Sequence, residues 1–197
     1  MAGSTAGAGP TKQRLAAAEG SGLPDVIRDG LRILFCGINP GLYSGAVGHH
    51  FARPGNRFWK ALSRAALTTG TLDPGEDKAL LSYGYGVTNL VNRATAAASD
   101  LDRQELLEGG RRLSVKVEEY APETVAILGI SAYRKAYGRR DAEVGKQAEG
   151  LAGASLWVLP SPSGRNAHYR LTDLVELFEA LRRDVWGDGP EDRQGES

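Results

Sequence analysis

Residues 33–51, "ILFCGINPGLYSGAVGHHF", run from four apolar residues into a glycine, an Asn-Pro-Gly turn and a long, Gly-punctuated loop that ends in two histidines and a phenylalanine. A short apolar run stopped by Gly37 reads as a buried strand, here placed at residues 31–36. Three further runs of strand length occur: "YGVTNL" at 85–90, "TVAILG" at 124–129 and "SLWVLP" at 155–160. Helix-length periodic segments lie at 56–66, 102–120, 131–137 and 171–186, with shorter ones near 76–82 and 11–19. Strands alternating with helices predict an α/β domain, a three-layer sandwich with a central, mostly parallel sheet flanked by helices. In such sheets ligands bind beyond the carboxyl ends of the strands. The loops to interrogate are therefore "GINPGLYSGAVGHHFARPGN", "NLVNRAT" and "PSPSGRNAHY", and these hold the unusual residues of the chain.

With 197 residues the chain suits one globular domain, placed at 23–186. Residues 1–22 read as a disordered or partly helical tail, and residues 187–197 as a disordered acidic one. Lysine plus arginine and aspartate plus glutamate both number 24, so the chain is not the strongly basic protein expected of a general nucleic-acid coat, although the acidic tail masks a more basic body. The single cysteine, Cys36, excludes an internal disulfide and any four-cysteine zinc or iron–sulfur site within the chain. No apolar segment is long enough to span a bilayer and no export signal is evident, which predicts a cytoplasmic protein with no membrane partner.

Each loop supports two readings. "GINPG" lacks the G-x-G-x-x-G spacing and puts Pro40, which has no N–H, where a phosphate needs a donor. It presents the Asn39 amide, either as a plain Asx turn or as a group that orients a water and binds a polar ligand edge at once. His49 and His50 are adjacent, a poor arrangement for chelating one metal, and Phe51 is either core or a platform for a flat ligand. In "RPGNRFWKALSRAAL", Phe58, Leu62 and Ala65 mark an apolar side of a helix, while Arg57, Lys60 and Arg64 form a basic stripe. That stripe is either a solvated face or, with Arg53, a surface for a phosphate backbone. In "LPSPSGRNAHYRL", Ser161 and Ser163 suit phosphate and Gly164 lets Arg165 project; a stiff connector is the alternative.

Taken together, "GINPGL", "GNRFWKAL" and "LPSPSGR" resemble the mismatch-specific uracil and thymine DNA glycosylases of the uracil-DNA glycosylase superfamily, over most of the chain apart from the tails. "GHHF" and "GVTNLV" resemble the thymine branch more closely. The resemblance implies flipping of a mispaired or damaged base from double-stranded DNA and hydrolysis of its N-glycosidic bond by a monomeric enzyme with no cofactor and no metal. It assigns Asn39 to water positioning and Ile38, Gly41, Leu42 and Tyr43 to the base pocket. Phe51 lies under the base, Ser44 and His50 near the ring face that carries C5 substituents, and Asn89 and Thr95 on the facing loop. Ser161, Ser163, Gly164 and Asn166 belong to the second motif with Arg165 as wedge, and Arg53 and Arg57 to the DNA surface. Two positions depart from the pattern: Asn92 stands where an acid is common, and Ser161 where the bacterial branch has asparagine.

The inventory of the motif loops fits this chemistry. They contain no carboxylate placed as a general base, which favours bond stretching ahead of water attack, and no lysine to form a Schiff base, which predicts a monofunctional enzyme. A general uracil-DNA glycosylase of another branch, a DNA-binding relative without activity, and an unrelated Rossmann-like nucleotide enzyme remain the competing readings.

Overall fold

A computed structural model describes residues 9–187. A short helix, α1 (Lys12–Ala17), precedes strand β1 (Ile33–Gly37). The chain continues through α2 (Leu42–Val47), α3 (Phe58–Arg64), a kinked 3-10 segment (Pro74–Tyr83) and β2 (Tyr85–Asn89). After α4 (Arg103–Tyr120) come β3 (Thr124–Leu128), α5 (Ile130–Tyr137), β4 (Gly145–Lys146), β5 (Ser155–Leu159) and α6 (Leu171–Trp186). The five strands lie in the order β2-β1-β3-β5-β4, all parallel except the antiparallel edge strand β4.

The alternation of side chains along each strand builds two cores, one per face. Ile33 and Phe35 of β1, Ala126 and Leu128 of β3, and Trp157 and Leu159 of β5 pack under α3 and α6, around Phe58, Leu62, Leu174 and Phe178. Leu34 and Cys36, Val125 and Ile127, and Leu156 and Val158 pack on the other face under α4 and α5, with Leu113, Val117, Tyr133 and Ala136. Both faces being apolar, the strands read as continuous rather than alternating hydrophobic runs, which is why they were visible in sequence. Cys36 is fully buried and paired on both sides, to Thr88 of β2 and Ile127 of β3.

Helix α4 shows why its mid-helix glycines are tolerated. It passes so close to the loop after β2 that a Cβ on Gly109 would lie 2.4 Å from the Leu90 carbonyl oxygen. Its start is fixed by Asp102 and Glu105, each side chain accepting the other's backbone N–H at 2.7 and 2.9 Å, a capping box. Glu105 also accepts both prongs of Arg93, at 2.7 and 3.0 Å, so the helix start and the loop after β2 are fastened together. Arg93 in turn holds the Glu105 carboxyl below its ordinary range.

Three local features differ from the sequence reading. The loop of residues 42–47 is a helical turn and a half, closed by Gly48 in the left-handed conformation. The helix expected from residue 56 starts at Phe58, because the Asn56 side chain accepts the Phe58 N–H at 3.0 Å as an Asx turn. The 9–22 segment packs on the domain: Gly20 N–H donates to Ala94 O and Ala94 N–H to Ser21 O. The outermost parts of both expected tails, 1–8 and 188–197, lie outside the described residues.

Candidate active site

Strand order turns back on itself at β1, with β2 on one side and β3 on the other, which opens a crevice at the carboxyl ends of these strands. A cleft of about 390 Å³ occupies that place. Its walls come from the loops after β1, β2 and β5, with Leu128 at the end of β3 beneath. The first two loops keep pairing past their strands: Leu90 N–H donates to Gly37 O, Val91 N–H to Ile38 O and Thr95 N–H to Pro40 O. Backbone ladder bonds thus make a rigid floor out of nominal loop.

Asn39 stands on this floor with its amide nitrogen fully committed. Nδ2 donates to the Arg93 carbonyl at 2.8 Å, to Thr95 Oγ1 at 2.8 Å and to the Pro40 carbonyl at 3.1 Å. Two of these partners are carbonyls that can only accept, and Thr95 Oγ1 spends its proton on Ala97 O at 2.7 Å, so the amide has one possible orientation. Oδ1 is left without a protein donor among the described residues, on a side chain that lines the cleft. The expectation that this amide donates and accepts at the ligand is therefore corrected: only its acceptor is free. Thr95, expected in the base pocket, lines the cleft and also anchors Asn39. Thr95→Val is expected to remove one of the three acceptors that hold Nδ2 and to lower stability by about 1 kcal/mol, read by thermal unfolding.

Phe51 and Asn89 face each other across Gly37. A Cβ on Gly37 would lie 2.6 Å from Asn89 Oδ1 and 3.3 Å from the Phe51 ring, so only glycine leaves this space open. Phe51 holds a left-handed backbone (φ 53°), a costly state for an aromatic residue, and its ring is backed by Phe58 at 4.2 Å between centroids. His50 is buried, its Nε2 3.0 Å from the Pro24 carbonyl and its Nδ1 3.5 Å from Asn89 Nδ2. Burial lowers the His50 pKa, against the opposing pull of Asp77 and Asp25. Ser44 Oγ accepts the Ala52 N–H at 3.1 Å, tying α2 to the loop that carries Phe51.

The rim is formed by Arg53 on one side and by Ser161, Ser163, Arg165 and Asn166 on the other. Arg165 is exposed, and its guanidinium donates at 2.6 Å to Ala96 O on the facing lip. Arg57, expected on the DNA surface, points elsewhere. Its guanidinium donates to the carbonyls of Pro162 (3.3 Å), Ser163 (2.6 Å), Asn166 (3.1 Å) and Tyr169 and so pins the Ser-Pro-Ser-Gly-Arg loop from behind. Leu42 and Tyr43 also lie off the cleft: Leu42 N–H pairs with Thr95 O, and the Tyr43 ring lies over Gly9. Ile38 and Gly41 line the cleft, whereas Gly164 backs against Gly55, whose carbonyl oxygen would lie 2.7 Å from an added Cβ.

This arrangement, a cleft at the strand ends whose described lining carries Arg53 and Arg165 but no carboxylate, with the Asn39 amide fixed in it, can be set beside known proteins. Residues 24–186 match the family model of the Uracil DNA glycosylase superfamily. The chain belongs to that superfamily. Among solved structures, a solution NMR structure of a candidate uracil DNA glycosylase from Methanosarcina acetivorans has the same fold, with a TM-score of 0.54 at 18% identity over 82% of this chain and 98% of that one.

Several parts of the glycosylase cleft carried no signal in the sequence. Residues 96–99, Ala-Ala-Ala-Ser, make a whole lip from side chains with almost no chemistry. Leu23 enters from the stretch ahead of β1, held by Asn92, whose Oδ1 accepts the Leu23 N–H at 2.7 Å while its Nδ2 donates to Leu23 O at 2.9 Å. That two-way bond needs an amide and could not be made by an ionised acid. The departure at Asn92 therefore has a structural reason.

Proposed function

We propose that this glycosylase flips a mispaired uracil or thymine (G·U, G·T), or a related modified pyrimidine, out of duplex DNA and hydrolyses its N-glycosidic bond, leaving an abasic site. The observation that carries the reading is the fixed Asn39 Oδ1 in a cleft whose described lining contains no aspartate, glutamate or lysine. A lone amide oxygen is too weak a base to deprotonate water ahead of bond cleavage. It can accept a hydrogen bond from a water and hold it on one face of an electron-poor sugar carbon. The bond to the base then stretches first, the sugar gains oxocarbenium character, and the water captures it as the base leaves. The described lining holds no lysine amine to trap the sugar, so the strand is expected to stay intact.

Other parts of the cleft support the base and its backbone. Its volume suits a small ligand of nucleobase size, near the lower end of the usual ~300–1,000 Å³ for such sites. The Phe51 ring offers a face for stacking, a contribution of about 1–3 kcal/mol per base. Arg53, Ser161 and Ser163 at the rim suit phosphate oxygens, and Arg165 suits the gap left in the stack. A mispaired pyrimidine is the cheapest to extrude, which gives G·U and G·T an advantage before the pocket is reached.

The test is a set of duplexes, each with one altered base, incubated with the protein and scored for strand breakage with and without alkali. The expected result is alkali-dependent breakage at uracil and thymine opposite guanine. No breakage at any altered pyrimidine would overturn the reading, and breakage without alkali would overturn the monofunctional part.

A further inference from the structure

The loop that anchors Asn39 has a second edge, and both edges of a backbone need partners. Along residues 93–95, Arg93 O accepts from Asn39 Nδ2 and Thr95 N–H donates to Pro40 O, both on the side of the loop after β1. The N–H and C=O of Ala94, between them, are met from elsewhere, by the stretch ahead of β1. Gly20 N–H donates to Ala94 O at 2.9 Å, and Ala94 N–H donates to Ser21 O at 2.7 Å. The same stretch continues through the two-way bond of Leu23 with Asn92 to an antiparallel pair of Val26 with Val87, bonded at 2.9 and 2.8 Å. Since β2 is the outermost strand on that side, residues 20–26 cover an edge that would otherwise stand open. The seat leaves no room to spare. A Cβ on Gly45 of α2 would lie 2.9 Å from Ser21 Oγ and 3.0 Å from the Ala94 Cβ, and one on Gly22 would lie 2.9 Å from Asn92 Nδ2.

We infer that residues 20–23 are a strap that positions Asn39 from behind, through Ala94, so that the segment ahead of β1 is a working part of the active site. The inference rests on the glycosylase reading above and extends it to residues on the far side of the cleft floor. Ala94 stands between two acceptors of the Asn39 amide, Arg93 O and Thr95 Oγ1. A displacement of Ala94 shifts both, and Nδ2 must follow them or lose its bonds. Oδ1 belongs to the same planar amide and moves with it. Glu105 holds the Arg93 side chain to α4 but leaves the Ala94 peptide groups to the strap. The strap is tied down along its own length. Arg14 donates to Ala46 O of α2 at 3.0 Å, Ser21 Oγ to Ala18 O at 2.7 Å, and the Pro24 carbonyl lies 3.0 Å from His50 Nε2. Leu23, at the end of the strap, enters the cleft wall, so one seating sets wall and floor together.

Gly45→Ala presses on this joint from within α2, where alanine otherwise favours the helix, and its Cβ forces Ser21 and Ala94 to give way by a few tenths of an ångström. With the full chain, single-turnover release of uracil from a G·U duplex is expected to fall about 10-fold, given that about 1 Å of misplacement commonly costs 10²-fold. Affinity for the duplex, read by gel shift, is expected to stay the same. The deciding measurement is the same substitution in an Asn39→Ala background. A strap that works through Asn39 has nothing left to position there, so Gly45→Ala is expected to leave the residual rate unchanged within about 2-fold. A further loss of about 10-fold, the additive result of a general loosening, overturns the inference. So does a wild-type rate in folded Gly45→Ala. Gly22→Ala, at the Asn92 clasp, is expected to behave in the same way and takes its place if Gly45→Ala does not fold. Should neither fold, hydrogen exchange of the wild-type protein decides: Ala94 N–H is expected to exchange as slowly as the N–H groups of Leu90 and Val91, and exchange as fast as in an unstructured peptide overturns the inference. Failure of wild type to release uracil would bring down the glycosylase reading instead, an outcome distinct from additive losses in an active enzyme.

Discussion

Asn39→Ala is expected to reduce single-turnover release of uracil from a G·U duplex by about 10²–10³-fold, the usual effect of removing one preorganised polar group aimed at a reacting centre. The loss is expected to fall on chemistry because Nδ2 is spent on Arg93 O, Thr95 Oγ1 and Pro40 O, which leaves Oδ1 as the free acceptor of a side chain that lines the cleft. Affinity for the duplex is expected to be nearly unchanged, since proteins hold DNA mainly through phosphate contacts and Asn39 is not a cation. Stability is expected to fall by roughly 1–3 kcal/mol, because Nδ2 ties the loop after β1 to the loop after β2 through Arg93 O and Thr95 Oγ1. Chemical quench with enzyme in excess, alongside thermal unfolding and gel-shift binding, separates the three quantities. Near wild-type release by a variant that still binds would remove Asn39 from the mechanism.

Arg57→Ala is expected to cost about as much as a direct site change, although Arg57 does not line the cleft. Four carbonyls of the 162–169 loop converge on its guanidinium, and its own backbone N–H donates to Pro162 O at 3.0 Å. Without it those carbonyls have no common partner, and Ser161, Ser163 and Arg165 lose their fixed spacing from the floor. Misplacement of positioned groups by about 1 Å commonly costs 10²-fold in rate, and that is the expected fall in kcat/KM. Arg57→Lys should rescue little, because one ammonium cannot span acceptors that a planar fork reaches together. Hydrogen exchange should rise in residues 161–169 and stay low in β1. Unchanged exchange there, with unchanged kcat/KM, would show that the loop holds itself.

The contrast between these two residues explains what the sequence could and could not reveal. Strands β1, β3 and β5 were legible because both faces of the sheet are covered, so each holds a run of four apolar residues stopped by glycine or proline, and β2 because Tyr85, Val87 and Leu90 frame a short run whose Thr88 is buried and bonded to Asp25. Asn39, Phe51, Asn89 and the serines of the third loop, unusual polar or aromatic residues at strand ends in the sequence, all line the one cleft. Arg57 was misplaced because helical periodicity groups it with Lys60 and Arg64, whereas its partners lie more than a hundred residues away. Helix α2 was read as loop because "LYSGAV" has no side-chain cap and sits between glycines; tertiary pairing of Leu42 N–H with Thr95 O holds it. The lip at 96–99 was invisible because its contribution is shape. Leu23 and β4 were missed for the same kind of reason: two residues of edge pairing, or one leucine clasped by Asn92, leave no periodic trace.

The single cysteine gives the molecule a built-in clock. Cys36 sits in the middle of the sheet, three residues before Asn39, with no exposed surface, and burial pushes its thiol far above the ordinary range. A thiol reagent can reach it only when β1 parts from its neighbours, so the rate of modification counts openings of the very strand that carries the cleft. Being chain-encoded and chemically silent until then, it needs no tag and disturbs no surface that DNA would touch. Any cleft variant can therefore be timed against wild type with the same reagent: an unchanged interval between openings means that a lost activity was lost in the chemistry, and a shortened one means that the scaffold gave way first.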